Sequence, residues 1–207
     1  MVGQAPTMIR GVIFDLDGTL FEADYDWPEI KRKLGVPAPG ESILHHLESL
    51  PPEEQARKRV LLERIEDRAT REGRLREGAL ELLALLRRHG LKLALVTNNR
   101  DENVREILDR YGMRFEVVLT RDSGLFKPSG DPLRLAATQL GLEPAQLAAV
   151  GDSEFDLRAG NEAEIGVVIL VNSDPGHYEG RFDHAAHDLD QLRSLFVRIL
   201  APPREPD

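Results

Sequence analysis

Two carboxylates, Asp15 and Asp17, stand one residue apart just beyond the apolar run Met8-Ile9-Arg10-Gly11-Val12-Ile13-Phe14. The run reads as a buried strand. In open α/β sheets, ligands bind beyond the carboxyl ends of such strands. Asp17-Gly18-Thr19 adds a tight turn with exposed backbone N–H groups. The plain alternative is a strand-to-loop turn, since Asp-Gly is a common turn pair. A calcium loop of the EF-hand type is excluded, because its glycine belongs at the sixth position and Leu20 is there.

Three later groups repeat the pattern of polar residues directly after an apolar run. Thr97-Asn98-Asn99 follows Leu91–Val96. These residue types cap helices, and a hydroxyl beside backbone N–H groups also cradles a phosphate oxygen. Lys127-Pro128 lies in a polar loop after Phe115–Leu119. A lone lysine is ordinarily a solvated surface group; a fixed ammonium here would bind phosphate and screen carboxylates, on a loop restricted by the proline. Gly151-Asp152-Ser153-Glu154-Phe155-Asp156 follows Leu147–Val150. Asp at a helix start is often a cap, and two carboxylates four apart at a strand end also suit a hard cation.

Strands at about 8–14, 91–96, 115–119, 147–150, 165–171 and 182–186 alternate with helices at about 77–89, 101–111, 131–141, 154–161 and 188–200. The alternation predicts a doubly wound parallel sheet covered on both faces, a Rossmann-like α/β core. Residues 21–76 differ in character. Asp26-Trp27-Pro28-Glu29 starts a short helix that ends at Gly35, a second helix covers 41–50, and Pro51-Pro52 opens a third to about 72. Its inward stripe is read as Val60, Leu61, Ile65 and Ala69, with Glu/Arg pairs outward, and no segment of 21–76 reads as a strand. The expected division is therefore a core of 1–20 and 77–207 with a small all-helical cap, 21–76, inserted after the first strand. Residues 1–7 read as a loose leader and 201–207 as a polar tail.

The 207 residues are 41% hydrophobic, enough for a core and too apolar for a disordered chain. No apolar run of transmembrane length occurs, no secretion signal is evident, and cysteine is absent, which makes a cytoplasmic location the expectation. A net charge of −9 disfavours nucleic acid and anionic membranes as partners, so a phosphate substrate needs a local positive site. The histidines, including His177, His184 and His187, show only loose metal-ligand spacing and are given no metal role.

The string Asp15–Leu20, the Thr97 and Lys127 segments, and Gly151-Asp152-Ser153-Glu154-Phe155-Asp156, in this order, resemble the four motifs of the haloacid dehalogenase superfamily, in its phosphoglycolate phosphatase and β-phosphoglucomutase-like group. The resemblance spans the α/β core and is absent from the cap. It implies Asp15 as phosphoryl-accepting nucleophile and Asp17 as general acid, then base. It implies that Thr97 and Lys127, with Gly18, Asn98 and Asn99, hold the phosphate. Mg²⁺ would be bound by Asp15, the carbonyl of Asp17 and Asp152, with Asp156 behind as an anchor for Lys127 or a metal-bound water.

The expected activity is Mg²⁺-dependent hydrolysis of a small phosphorylated metabolite. Phosphoryl transfer of the β-phosphoglucomutase type stays open, as does a noncatalytic binding protein on the same fold. Dehalogenation is disfavoured because dehalogenases of this superfamily lack the second aspartate. Glu22, Tyr25, Trp27 and Arg100 are candidate substrate contacts, although Trp27 is the residue type that packs a cap core. The sequence leaves the oligomeric state open.

Overall fold

The computed structural model describes residues 8–201 except Pro39 and Glu179, so the expected leader 1–7 and most of the expected tail lie outside the described residues. Six strands form one parallel sheet: β1 (Gly11–Phe14), β4 (Lys92–Val96), β5 (Val117–Leu119), β6 (Leu147–Gly151), β7 (Val167–Val171) and β8 (His184–Ala186), in the order β5-β4-β1-β6-β7-β8. The chain builds outward from β1 through β4 to β5, then returns to the other side of β1 with β6. The strand order reverses at β1, the position where doubly wound sheets open a crevice for ligands. Register aligns the ends: Phe14 lies opposite Leu95 on one side and Val150 on the other. Asp15, Thr97 and Asp152 therefore emerge close together.

Alternate residues of β1 face opposite layers. Val12 and Phe14 pack with α4 (Ala79–Arg88), α5 (Asp101–Tyr111) and α8 (Leu189–Ile199), whereas Ile13 packs with α6 (Asp131–Leu140) and α7 (Glu154–Glu162). The apolar runs that become β1, β4 and β6 are thus central strands buried on both faces, whereas β5 and β8 form the edges and expose Val118 and His184. This core is the expected doubly wound α/β architecture.

Residues between β1 and α4 carry α1 (Trp27–Leu34), α2 (Ile43–Glu48) and α3 (Pro52–Glu72). Asp26 caps α1 by accepting from the Glu29 N–H at 3.0 Å, and Gly35 ends it at φ 70°. Ile30, Leu34, Leu44, Leu47 and Leu62 form a separate small core between these helices. Two expectations fail here. The segment contains strands, for β2 (Phe21–Glu22) pairs antiparallel with β3 (Arg74–Leu75) where the chain leaves and re-enters the α/β core. Two residues are too few to show an alternating pattern, and their pairing depends on chain ends far apart in sequence. The inward face of α3 is also rotated: Leu62, Glu66, Ala69 and Thr70 are buried, while Val60 is 46% exposed. Hydropathy could not place an acid inward, and the reason Glu66 turns inward is an arginine on the core.

The paired base is tightly packed. A Cβ on Gly73 would lie 2.5 Å from Phe21 Cε1 and 2.7 Å from the Ala69 carbonyl oxygen. Phe21 is itself fully buried against the α/β core. Gly73→Ala is expected to cost about 1–3 kcal/mol of stability by overpacking. The loss should register as a lower urea midpoint with unchanged slope.

Candidate functional site

The acidic loop after β1 folds back on itself. The N–H groups of Leu20 and Phe21 both donate to the Leu16 carbonyl at 2.9 Å, and Gly18 N–H donates to the Phe21 carbonyl at 2.8 Å. Asn172, just past β7, donates through Nδ2 to the carbonyls of Gly18 and Thr19 at 2.8 and 3.1 Å. Gly18 has φ 85°, and a Cβ there would fall 2.1 Å from Asp152 Oδ2. Glycine is required on both counts, left-handed backbone and close approach of a carboxylate.

Lys127 enters from the loop after β5 and is buried. Its Nζ donates to Asp15 Oδ1 at 2.6 Å and to Asp156 Oδ1 at 2.5 Å. Asn98 fixes the lysine backbone from both sides: its Oδ1 accepts from Lys127 N–H and its Nδ2 donates to the Lys127 carbonyl, each at 2.8 Å. The Lys127-Pro128 peptide is cis. The side chain of Asn98 is thus engaged in presenting the lysine, which leaves its backbone for a ligand. Asp156 has a second task, since its Oδ2 accepts from Ser153 N–H at 3.0 Å and from Ser153 Oγ at 2.5 Å. Ser153, and not Asp152, is the cap of α7, and Asp152 Oδ1 instead accepts from Thr19 Oγ1 at 3.4 Å.

Asp17 turns away from this lysine. Its Oδ2 accepts from Asn99 Nδ2 at 2.9 Å, and its Oδ1 is buried without a hydrogen-bond partner among the described residues. The Asn99 Oδ1 is held by Arg100 N–H at 2.8 Å, so the amide orientation is set. Thr97 does not cap α5. Its buried Oγ1 accepts from Asn99 N–H at 3.1 Å at the floor of the same cleft.

The electrostatics follow from crowding. Burial raises the Asp15 carboxyl well above its ordinary range; Lys127 opposes the rise and Asp156, Asp152 and Asp17 add to it. Burial and Asp156 push Asp152 up to about 7. Burial pushes Asp17 up to about 6, against the hydrogen bond from Asn99. Burial would depress the Lys127 ammonium, yet Asp15 and Asp156 outweigh it and hold its pKa above the ordinary value. Oxygens of Asp15, Asp152 and Asp156 lie within 4.8 Å of one another. One buried ammonium does not balance these acids, and an all-oxygen donor set with excess negative charge suits a hard divalent cation.

A cleft of about 320 Å³ opens above this floor. Tyr25 and Trp27 line it, as the sequence proposed, but Trp27 is 45% exposed instead of packed in the small helical core. The other two candidate contacts are committed elsewhere. Glu22 pairs with Arg74 at 2.7 Å, and Arg100 pairs with Asp67 at 2.7 Å and Glu102 at 3.1 Å.

Sequence reasoning missed Glu66 and Arg121. The Arg121 guanidinium grips both oxygens of Glu66, at 2.5 and 2.7 Å, and also donates to the Asn98 carbonyl at 3.2 Å. Glu66 lines the cleft, so α3 is tied to the backbone that presents Lys127. The available signal was an acid within the i, i+4, i+7 stripe Leu62, Glu66, Ala69.

A model of the haloacid dehalogenase-like hydrolase family matches residues 9–164. An uncharacterized hydrolase of Saccharomyces cerevisiae is 28% identical over 201 residues, 92% of this chain and 92% of that protein. The N-acetylmuramic acid 6-phosphate phosphatase of Pseudomonas aeruginosa is 28% identical over 177 residues, 75% of this chain and 78% of that protein. The crystal structure of a hydrolase from Pseudomonas syringae matches with a TM-score of 0.77 at 21% identity, over 92% of this chain and 99% of that one. At that identity the likeness speaks for the fold.

The Glu66–Arg121 pair is buried on both sides, so removing one member strands a charge. Arg121→Ala is expected to cost about 3–5 kcal/mol in urea unfolding. Replacing both by methionine should restore most of that loss, because the desolvation penalty goes with the charges.

Proposed function

Because the chain belongs to the haloacid dehalogenase-like hydrolase family, we propose that it hydrolyses a small phosphomonoester in the presence of Mg²⁺, with the phosphoryl group carried in passing on Asp15. It is an enzyme of the phosphatase kind, and its relative in Pseudomonas aeruginosa is named for a sugar phosphate. The observation that carries the mechanism is the contrast between two neighbouring buried carboxyls. Asp15 lies on the Lys127 ammonium, whereas Asp17 is held through one oxygen by Asn99 and pushed up to about 6, with its other oxygen buried and without a partner among the described residues. Paired carboxyls in different environments divide nucleophilic and acid–base work.

In the first step an Asp15 oxygen attacks phosphorus and the bond from phosphorus to the ester oxygen breaks. Asp17 gives its proton to the departing alkoxide, so the alcohol leaves neutral. In the second step Asp17, now ionised, takes a proton from water. The hydroxide so formed attacks phosphorus, the acyl phosphate bond breaks, and Asp15 is regenerated with free phosphate. Dividing the displacement in this way replaces one difficult step by two easier ones. Lys127 offsets the repulsion between Asp15 and the anionic phosphate, and Thr97 with the backbone N–H groups after β4 receives phosphate oxygens. Asp15 and Asp152, with the carbonyl of Asp17, would hold Mg²⁺, which supplies charge neutralisation for carboxylate and phosphate together. Asp156 orients Lys127.

Residues 21–76 serve as a cap over this floor, hinged at the β2–β3 pair. The separate small core of α1–α3 and the cleft beneath support this division, with the core formed, among the described residues, by 8–20 and 77–201.

The decisive measurement is phosphate release from para-nitrophenyl phosphate. The wild type should release phosphate with Mg²⁺ and stop on addition of EDTA, while Asp15→Asn should be inert. Asp17→Asn should be slower by about 10²–10⁴-fold. Acid-quenched wild type should carry a phosphorylated peptide containing Asp15. Equal release by the wild type and Asp15→Asn would sink this mechanism.

A further inference from the structure

Residues 120–126 carry the chain from β5 to Lys127, and they begin with the polar run Thr120-Arg121-Asp122-Ser123. A connection of this composition ordinarily runs over the surface in water. Here the short 3₁₀ turn Arg121–Ser123 lies across the loop that follows β4. Arg121 N–H donates to the Asn99 carbonyl at 3.2 Å. Asp122 Oδ2 accepts from Asp101 N–H at 2.8 Å, so it serves the first turn of α5, whose own N-cap residue makes no side-chain bond. Lys127 then returns to the same loop through its two backbone bonds with the Asn98 side chain. The connection is fastened to residues 98–101 at both ends, and Arg121 and Lys127 bracket Asn98.

The Arg121 side chain completes the bracket. A guanidinium holds several donors in one rigid plane. Nη1 and Nη2 meet the two oxygens of Glu66, and Nη1 also reaches the Asn98 carbonyl at 3.2 Å. Asn98 is therefore held by its carbonyl on Arg121 and by its side chain on Lys127. Its neighbours in sequence are Thr97, at the floor of the cleft, and Asn99, which donates to Asp17. Both members of the Glu66–Arg121 pair are buried, so the aim of the guanidinium is set by the carboxylate and not by water. A lysine at this position would bring the charge without the planar fork. The acid that aims the fork comes from α3, so the helical segment takes part in placing the floor.

We propose that Arg121 is a positioning residue of the reaction: aimed by Glu66, it fixes the Asn98 carbonyl, and through Asn98 the point from which Lys127 reaches Asp15 and Asp156. Its effect on rate rests on the phosphomonoesterase reading, whereas its effect on the placement of Lys127 does not.

Two readouts on the same variants test this: phosphate release from para-nitrophenyl phosphate with Mg²⁺, and hydrogen exchange at the Lys127 amide, which donates to Asn98 Oδ1. Arg121→Lys keeps the charge and loses the fork. It should lower kcat about 10- to 100-fold while KM stays within about threefold. Its Lys127 amide should exchange about tenfold faster while the amides of β1 keep their protection. Glu66→Met combined with Arg121→Met removes both charges together, which spares the fold. This double variant should remain as slow as Arg121→Lys, because nothing then holds the Asn98 carbonyl. Arg110→Met serves as the control, since Arg110 also ties α3 to the core through the Thr70 carbonyl but otherwise meets Glu106 and Tyr111. Its kcat should stay within about twofold of the wild type. Wild-type kcat in the double variant, wild-type exchange at Lys127 in both Arg121 variants, or an equal loss of kcat in Arg110→Met would overturn the assignment. Faster exchange at Lys127 in a chain whose wild type releases no phosphate would uphold the placement and count against the hydrolytic reading, so the two failures are told apart.

Discussion

Four carboxyls converge on one buried ammonium at the place where the sheet reverses its strand order. Asp15 and Asp156 hold Lys127 directly, Asp152 stands against Gly18, and Asp17 is turned aside by Asn99. Burial raises Asp15, Asp17 and Asp152, and each acid makes the ionisation of its neighbours harder. Such a cluster is unfavourable in isolation, since a charge removed from water must find its compensation inside the protein. The lysine supplies one positive charge. The acids that remain outnumber it, a donor set of the kind that suits a hard cation.

Much of the surrounding architecture serves to keep that cluster in place. The sheet register brings Phe14, Leu95 and Val150 level, which fixes the starting points of three acidic or polar loops. Backbone anchors then complete the placement. Asn172 ties down the loop of Asp15 and Asp17, Ser153 aligns Asp156, and Asn98 clasps the main chain of Lys127. None of these three needs to touch a substrate to matter. A lysine whose backbone could drift by an ångström would lose one of its two carboxylates, and the balance of charge would change with it.

The α/β core was legible in the sequence because its central strands are buried on both faces and form continuous apolar runs, and β1, β4 and β6 are each followed at once by polar residues of the site. The motif residues were legible for the same reason, as a strand end fixes where a side chain emerges. What escaped was everything made by contact between distant segments. The β2–β3 pair joins residues 21 and 75 and has no local pattern to betray it. Glu66 looked like one more solvated acid on a charged helix, because the arginine that draws it inward comes from a loop 55 residues later. For Trp27 the residue type left two readings, substrate contact or packing in the helical core, and its position at the first turn of α1 places it in the wall of the cleft, 45% exposed.

Those distant contacts decide how the helical segment sits on the core. Three core arginines hold α3 between residues 66 and 70: Arg121 on Glu66, Arg100 on Asp67 and Arg110 on the Thr70 carbonyl at 2.8 Å. An isolated surface pair contributes little to stability, but the Glu66 pair is buried and shares its arginine with the Asn98 carbonyl. The helix that bounds the cleft and the loop that presents Lys127 are thus held by a single guanidinium. The seating of the helical segment and the placement of the lysine are then linked through one buried ion pair.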